Sequence, residues 1–89
     1  MSEVQSAATA LSNDLPTLKK NMKSEAVRFL QEILVLAYGY KLEIDGIFGL
    51  KTENAVQDFQ VVHNLESEYG FVGVKTWRDI SANITNGRS

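Results

Sequence analysis

The stretch that decides the fold is DGIFGLKT at residues 45–52, which recurs as YGFVGVKT at residues 69–76. Both copies share the pattern G-x-x-G-x-K-T, and an amphipathic segment follows each of them. The first glycine permits a turn, the two apolar residues after it are expected to lie beneath that turn, and the second glycine permits another reversal. The threonine that ends each copy, Thr52 or Thr76, is a typical N-cap. The repeat therefore predicts two helices that each begin sharply after a glycine-containing loop.

A further helix is predicted before the first copy, between Ser24 and Tyr38. Ser24 is a suitable N-cap, and Gly39 can end the helix because glycine adopts positive φ without steric cost. Apolar residues recur at the 3.6-residue period and cover more than half of the circumference, so this helix is interpreted as the central one. Its main apolar face comprises Ala26, Val27, Leu30, Ile33, Leu34 and Ala37, and Phe29 and Leu36 form a second stripe.

The two helices that follow the repeats contain fewer apolar residues than the central helix. The second is predicted from Thr52 to about His63, where Asn64 can end it, and the third is predicted to begin at Thr76. The inner face of the second helix comprises Ala55, Val56, Phe59 and Val62. The inner face of the third comprises Trp77, Ile80 and Ile84.

These elements predict an all-α fold, a small orthogonal three-helix bundle with two glycine-containing loops. The domain is expected to span residues 15–84. Residues 1–14 are predicted to form an N-terminal tail, either a short helix or a mobile segment, and residues 85–89 a polar C-terminal tail.

Composition and charge restrict the classes of function. The chain has 89 residues, enough for one domain, and no cysteine, which excludes disulfides and thiolate chemistry. A net charge of −2 without a basic patch predicts neither nucleic acid nor an anionic membrane as a partner. No apolar run is long enough to insert across a bilayer. The segment from Met1 to Leu11 lacks the basic and apolar regions of a signal peptide.

Catalytic, nucleotide and metal sites are not predicted. In neither copy of the repeat does a glycine precede the lysine, as a P-loop requires. Asp45 lacks the alternating oxygen ligands of a calcium loop and is expected to bond amides of its own turn. His63, the only histidine, is expected to bond a carbonyl near the end of its helix, and Glu66 and Glu68 to be solvated. We therefore expect a non-enzymatic protein without a metal or cofactor.

Five aromatic residues lie in or beside the loops: Tyr38, Tyr40, Phe48, Tyr69 and Trp77. The spacing of Phe48 and Trp77 favours the core over a sugar-stacking surface. For the three tyrosines both interpretations stay open, because a tyrosine tolerates partial exposure.

Residues 18–80 resemble the peptidoglycan-binding-domain-1 pattern in both order and spacing. The matching elements are Val27-Arg-Phe-Leu-Gln31, Gly39-Tyr40, Asp45-Gly-Ile-Phe-Gly49 with Thr52, Ala55-Val56 with Phe59-Gln60, Leu65, and Gly70 and Gly73 with Thr76-Trp77. The chain departs from the pattern at Leu50 and Val74, where proline is frequent, and at Tyr69, where aspartate is frequent. The second loop is therefore less typical than the first.

The resemblance implies an orthogonal three-helix bundle that recognises bacterial peptidoglycan non-covalently. Modules of this kind usually accompany a hydrolase or another envelope protein and anchor it at the wall, so the resemblance implies the cell envelope or periplasm as the location. The alternative is a protein-interaction or structural domain that keeps the fold without a wall ligand.

A shallow groove beside the glycine loops is the expected ligand site, with glycan or stem peptide as the ligand. Backbone amides of residues 45–49, two glutamine amides and a tyrosine ring would supply the contacts. For the two glutamines, hydrogen bonding between helix and loop is an alternative role. The candidate ligand-binding residues are Gln31, Tyr38, Tyr40, Asp45, Gly46, Phe48, Gly49 and Gln60.

Overall fold

The computed structural model describes the backbone of residues 15–87 and the side chains of residues 15–82. It contains three helices, α1 (Glu25–Leu36), α2 (Leu50–Val62) and α3 (Val74–Gly87), and a one-turn 3-10 helix, Glu66–Glu68, between α2 and α3. Within residues 15–87 there is no β-strand, so the predicted all-α three-helix bundle is confirmed. Residues 1–14, predicted as a tail, lie outside the described residues. Helix α3 continues beyond residue 84, where the predicted domain ended.

Helix α1 begins where the sequence predicts and ends at Leu36, two residues before the predicted end at Tyr38. Ser24 is its N-cap, and the Ser24 hydroxyl accepts a hydrogen bond from the amide of Val27 at 3.2 Å. At the other end, Gly39 takes a φ of +77°, which lets the chain turn away from the helix. Of the two residues in the predicted second apolar stripe, only Phe29 packs against another helix, where it stacks on Trp77. Leu36 is 79% exposed because it is the last residue of α1.

Helices α2 and α3 begin earlier than predicted, and the two threonines do not cap them. Gly49 is the N-cap of α2, so Thr52 lies inside the first turn, and α3 likewise begins two residues before Thr76. Both threonine side chains are buried and accept hydrogen bonds from glutamine side chains instead of from helix amides. Those buried glutamine amides need acceptors, which the threonine hydroxyls provide.

The core lies between the three helices and the segment before α1. Phe48, Phe59 and Trp77 are its largest buried side chains, so the core interpretation of Phe48 and Trp77 is confirmed. Val62 is 65% exposed, contrary to prediction, because α2 ends at that residue. The buried apolar residues are Leu18, Val27, Leu30, Ile33, Leu34, Phe48, Ala55, Val56, Phe59, Val72, Trp77 and Ile80.

The segment of residues 18–24, here named the strap, connects the two glycine loops. We define the first glycine loop as residues 45–49 and the second as residues 69–73. Leu18 exchanges two backbone hydrogen bonds with Val72 in the second loop, at 3.0 and 2.8 Å. The amide of Asn21 donates to Phe48 O, and the amide of Phe48 donates to Met22 O, both at 2.8 Å. The strap therefore fixes both loops against one edge of the bundle.

Candidate functional site

The first glycine loop is held from below by the side chain of Gln31. Its Oε1 accepts hydrogen bonds from the amides of Asp45 and Gly46, at 3.0 and 2.8 Å. Its Nε2 lies 2.9 Å from Ile47 O and 3.0 Å from the Thr52 hydroxyl, and also 3.1 Å from Asp45 Oδ1. Gln31 is only 1% exposed. The buried side-chain amide of Gln31 thus connects the backbone of the first glycine loop to the start of α2.

Gln60 does the same for the second glycine loop. Its Oε1 accepts from the amide of Gly70 at 2.9 Å, and its Nε2 donates to the carbonyls of Glu68 and Phe71, at 2.7 and 2.6 Å. Nε2 also lies 3.1 Å from the Thr76 hydroxyl. In both copies a glutamine from the preceding helix therefore joins the first glycine, the residue after it and the final threonine. The sequence repeat is a structural repeat.

The two apolar residues of each loop point in opposite directions, which corrects the expectation that both lie beneath the turn. Phe48 and Val72 are buried, whereas the preceding residues, Ile47 and Phe71, are 45% and 37% exposed. The strap explains the difference: its backbone pairs with Phe48 and Val72 and so directs their side chains into the core.

Glu68 caps the start of α3, where a solvated loop carboxylate was predicted. Its Oε1 accepts from the amides of Gly73 and Thr76, at 3.0 and 2.9 Å, and from the Thr76 hydroxyl at 2.7 Å. Its Oε2 accepts from the amide of Lys75 at 3.0 Å. Partial burial raises the pKa of Glu68, but these hydrogen bonds from Thr76, Lys75 and Gly73 outweigh it, so the pKa lies below its usual value.

The capping carboxylate predicts an acid-sensitive contribution to stability. Because the pKa of Glu68 is lowered by folding, its contribution is complete above the unfolded pKa of about 4.3 and is lost as the pH falls through the folded pKa. We expect Glu68→Gln to cost about 1–2 kcal/mol at neutral pH and to flatten the loss of stability below about pH 5. Urea unfolding across this pH range measures both effects.

The control for this variant is Glu66→Gln, an identical charge change on an exposed residue of the same 3-10 helix. It should leave both the neutral stability and the acid slope close to those of the wild type. An acid slope that is the same in wild type and Glu68→Gln would contradict the capping role.

Two adjoining pockets form a groove along α2, here named the α2 groove. One has a volume of about 380 Å³ and the other about 370 Å³, and Lys51 lines both. The remaining lining residues of the first pocket are Tyr40, Lys41, Asn54, Ala55 and Asp58. Those of the second are Gln31, Leu42, Glu43, Asp45, Ile47, Gly49, Leu50 and Thr52.

The polar groups of the α2 groove are ordered by contacts within the chain. The Tyr40 hydroxyl donates to Asp58 Oδ2 at 2.7 Å. Burial, together with this hydrogen bond and the charge of Asp58, raises the pKa of Tyr40, so the hydroxyl stays protonated. At the other end, Asp45 Oδ1 accepts from the amide of Ile47 at 3.0 Å, as predicted. That bond and the bond from Gln31 lower the pKa of Asp45, so this end keeps a carboxylate.

The predicted ligand-binding residues fall into three groups. Tyr40, Asp45 and Gly49 line the α2 groove and reach its surface at least in part. Four others are buried: Gly46, Phe48, Gln31 and Gln60, of which Gln31 alone touches the groove, from beneath. Tyr38 lies elsewhere, with its hydroxyl donating to Ile80 O at 3.0 Å and its ring edge-on to Phe59.

Among the polar groove residues that sequence reasoning missed, Lys51, Asn54 and Asp58 lie together on α2. They belong to the polar side of α2, which the sequence alone marks as a solvated face. Their spacing of three and four residues places them in one row along the helix and was the available signal. What the sequence lacked was the position of Tyr40, which closes the other side of this row.

His63 has a different partner from the one predicted. It is the C-cap of α2, and its Nδ1 lies 2.9 Å from Asp79 Oδ2 on α3 instead of bonding a carbonyl. Its ring stacks on Phe59, with centroids 4.1 Å apart. Because α2 and α3 are joined at this point, the pair has a clear structural role.

Among residues 15–87, no helix is both long and apolar enough to cross a bilayer. Over the same residues, no three side chains of histidine, cysteine, aspartate or glutamate are grouped closely enough to hold a metal ion.

Comparison with known proteins identifies the family. No curated protein and no solved structure matched the chain. A family model described as "Putative peptidoglycan binding domain" matches residues 23–80, which include α1, α2, both glycine loops and the first half of α3. The match covers most of the chain and contains both buried glutamines with the loops that they hold. The chain therefore belongs to the peptidoglycan-binding domain family.

Proposed function

We propose that this domain binds bacterial peptidoglycan non-covalently in the α2 groove and serves as an anchoring module. Membership of a peptidoglycan-binding family carries the proposal. The groove supports it, because it is the concave surface to which three candidates belong, the exposed Asp45 and the half-buried Tyr40 and Gly49. The second glycine loop, which departs more from the family pattern, contributes no lining residue to it.

The chemistry of the groove suits a polar, uncharged ligand segment. Lys51 and Asn54 offer hydrogen-bond donors, and Asp58 and the amide oxygen of Asn54 offer acceptors. The Tyr40 hydroxyl gives its proton to Asp58, so its oxygen remains free to accept from the hydroxyl or amide of a ligand. Sugars and peptide bonds present such groups in alternation. The groove is shallow, so modest affinity is expected.

The buried candidates are assigned a positioning role in this proposal. Gln31 holds Asp45 and Gly46 in place, and Phe48 anchors the loop in the core. Gln60 acts in the same way on the second loop. These residues would affect binding through the shape of the loops, not through contact with the wall.

Lys51 provides the test of the groove. Lys51→Ala removes an exposed ammonium that lines both pockets, and we expect about fivefold weaker binding, corresponding to roughly 1 kcal/mol. Co-sedimentation with purified insoluble peptidoglycan measures the effect. The matched control is Lys75→Ala, the equivalent lysine in the second copy of the repeat, which lies outside the groove. It should sediment like the wild type.

Three outcomes would count against the proposal. If the wild type stays in the supernatant, wall binding is wrong, and a protein-interaction role becomes the better reading. If Lys51→Ala and Lys75→Ala weaken sedimentation equally, the groove is not the site. If the pure domain clears a suspension of cell walls, the module is not merely a binding one.

A further inference from the structure

A pocket of about 430 Å³ beside α3, here named the α3 pocket, is the repeat equivalent of the first pocket of the α2 groove. Its lining residues are Leu65, Lys75, Arg78, Asp79 and Ala82. Each of them follows a lining residue of the 380 Å³ pocket by 24 residues, the separation of the two copies of the repeat. Those earlier residues are Lys41, Lys51, Asn54, Ala55 and Asp58. The repeat has therefore produced two equivalent cavities, one beside each helix that follows a glycine loop.

The residue differences between the two pockets change the ligand that each one suits. In the first pocket, Asp58 accepts a hydrogen bond from the Tyr40 hydroxyl at 2.7 Å and supplies a negative charge. The α3 pocket has Ala82 in place of Asp58, so it lacks that carboxylate. It has Arg78 in place of Asn54, so it gains a guanidinium. A cavity that suits a polar, uncharged segment thus becomes one that suits an anion.

The two cations of the α3 pocket are available to a ligand. Lys75 and Arg78 are exposed, and neither forms an ion pair with another residue between 15 and 82. The neighbouring carboxylates have other partners: Asp79 Oδ2 lies 2.9 Å from His63 Nδ1, and the Glu68 carboxylate caps α3. Side chains three residues apart lie on the same side of a helix, so the two positive charges can act on one ligand group.

The surroundings of these cations favour a ligand with a single negative charge beside an apolar group. Leu65 and Ala82 give the pocket an apolar wall, which a bare inorganic anion would leave uncovered. A polyanion such as a nucleic acid requires a broad basic surface, whereas this chain has a net charge of −2. A guanidinium binds a carboxylate through two parallel hydrogen bonds. A protein segment presents a carboxylate and an aliphatic side chain next to each other.

We propose that the α3 pocket is a docking site for a second protein and binds a glutamate or aspartate side chain of that protein beside an apolar residue. Arg78 binds the carboxylate, Lys75 adds a second positive charge, and Leu65 packs against the apolar neighbour. Charge complementarity at such a site selects the partner. The site goes beyond wall binding, since one copy of the repeat serves the wall and the other a partner protein.

A variant that restores the charge of the first pocket tests the site. Ala82→Asp places a carboxylate where the first pocket has Asp58, and Ala82 is exposed on α3, so the variant is expected to fold. We expect at least fivefold weaker binding of an acidic peptide, because the new carboxylate competes for Arg78 and repels the ligand. Ala82→Asn is the matched control, equal in size but uncharged, and should bind within twofold of the wild type.

The probe is the blocked peptide acetyl-Leu-Glu-Leu-amide, compared with acetyl-Leu-Gln-Leu-amide, in a titration of the whole chain followed by ¹⁵N amide chemical shifts. The expected result is saturable shifts at Leu65, Lys75 and Arg78 with the glutamate peptide, retained in Ala82→Asn and lost in Ala82→Asp. Equal shifts with both peptides would overturn the proposal. So would shifts centred on Lys51 and Asn54, or tighter binding of inorganic phosphate than of the glutamate peptide.

Arg78→Gln separates this inference from the proposed function. We expect at least fivefold weaker binding of the glutamate peptide and unchanged co-sedimentation with insoluble peptidoglycan. Arg28→Gln is the control on α1, where Arg28 pairs with Glu25 and Glu32, and it should match the wild type in both measurements. Reduced sedimentation of Arg78→Gln alone would make the α3 pocket a wall site and overturn the protein assignment. A wild type that binds the peptide but does not sediment would refute the proposed function and support this inference.

Discussion

Replacing Gln31 with leucine is expected to destabilise the domain by about 3–5 kcal/mol, although the two side chains are similar in size. The change leaves the buried amide of Gly46, the amide of Asp45 and the buried Thr52 hydroxyl without the partner that Gln31 provides. Each buried polar group without a hydrogen bond costs about 1–3 kcal/mol. A domain of this size holds only about 5 kcal/mol in total, so much of the variant should be unfolded at 25 °C. Urea unfolding followed by circular dichroism measures the loss.

Substitutions of two other glutamines serve as comparisons for Gln31→Leu. Gln60→Leu should be almost as damaging, because it leaves the amide of Gly70 and the carbonyl of Phe71 without their partner. Gln57→Leu, on the half-buried face of the same helix, should change stability by less than about 0.5 kcal/mol. If Gln31→Leu is as stable as Gln57→Leu and loses only wall binding, then Gln31 is a ligand contact and not a structural one.

Phe48→Ala alone is expected to lower the free energy of unfolding by about 3–5 kcal/mol, because it leaves a cavity in the core. Phe48 is fully buried, and its backbone amide and carbonyl pair with the strap, so the site has little freedom to collapse. Heat-induced unfolding measures the loss, with the expected melting temperature lower by well over 10 °C.

The neighbouring residue supplies the control for this cavity. Ile47→Ala removes a comparable side chain that is 45% exposed, and should cost only about 1 kcal/mol. A stable Phe48→Ala with weakened binding would contradict the core assignment. Loss of stability in both variants would show that the side-chain orientations described for the first loop are incorrect.

Most of the fold can be predicted from the sequence, because apolar residues recur along each helix at the helical period. Ser24, Gly39 and the first glycines of the repeat behave as their backbone preferences indicate, with Gly46 at a φ of +78°. The helix starts after each repeat were predicted wrongly for a definite reason. A threonine followed by a polar turn is a good local N-cap. Here, however, each threonine hydroxyl is hydrogen-bonded to the side chain of a distant glutamine.

The candidate site was harder to predict, because its order depends on pairs far apart in the chain. Asp45, Tyr40 and Gly49 carry a local signal, a turn motif with an aromatic residue nearby, and these residues line the groove. Gln31 shows no local sign of which polar atoms it meets, since its partners in the loop lie 14 to 16 residues later. The capping role of Glu68 likewise has no local signal in the sequence, because its partner Thr76 lies eight residues later.

The strap has a consequence for the order in which the chain folds. Each glutamine closes a short segment, of 15 residues for Gln31 to Gly46 and 10 for Gln60 to Gly70. The backbone bonds between Leu18 of the strap and Val72 instead join distant parts of the chain, and the bond from Trp77 Nε1 to Pro16 O, just before the strap, spans 61 residues. Contacts this distant carry a high contact order and a large entropic cost of closure. We therefore expect the two helix–loop halves to assemble early and locally, and the pairing of the strap with the second glycine loop to be the slow step.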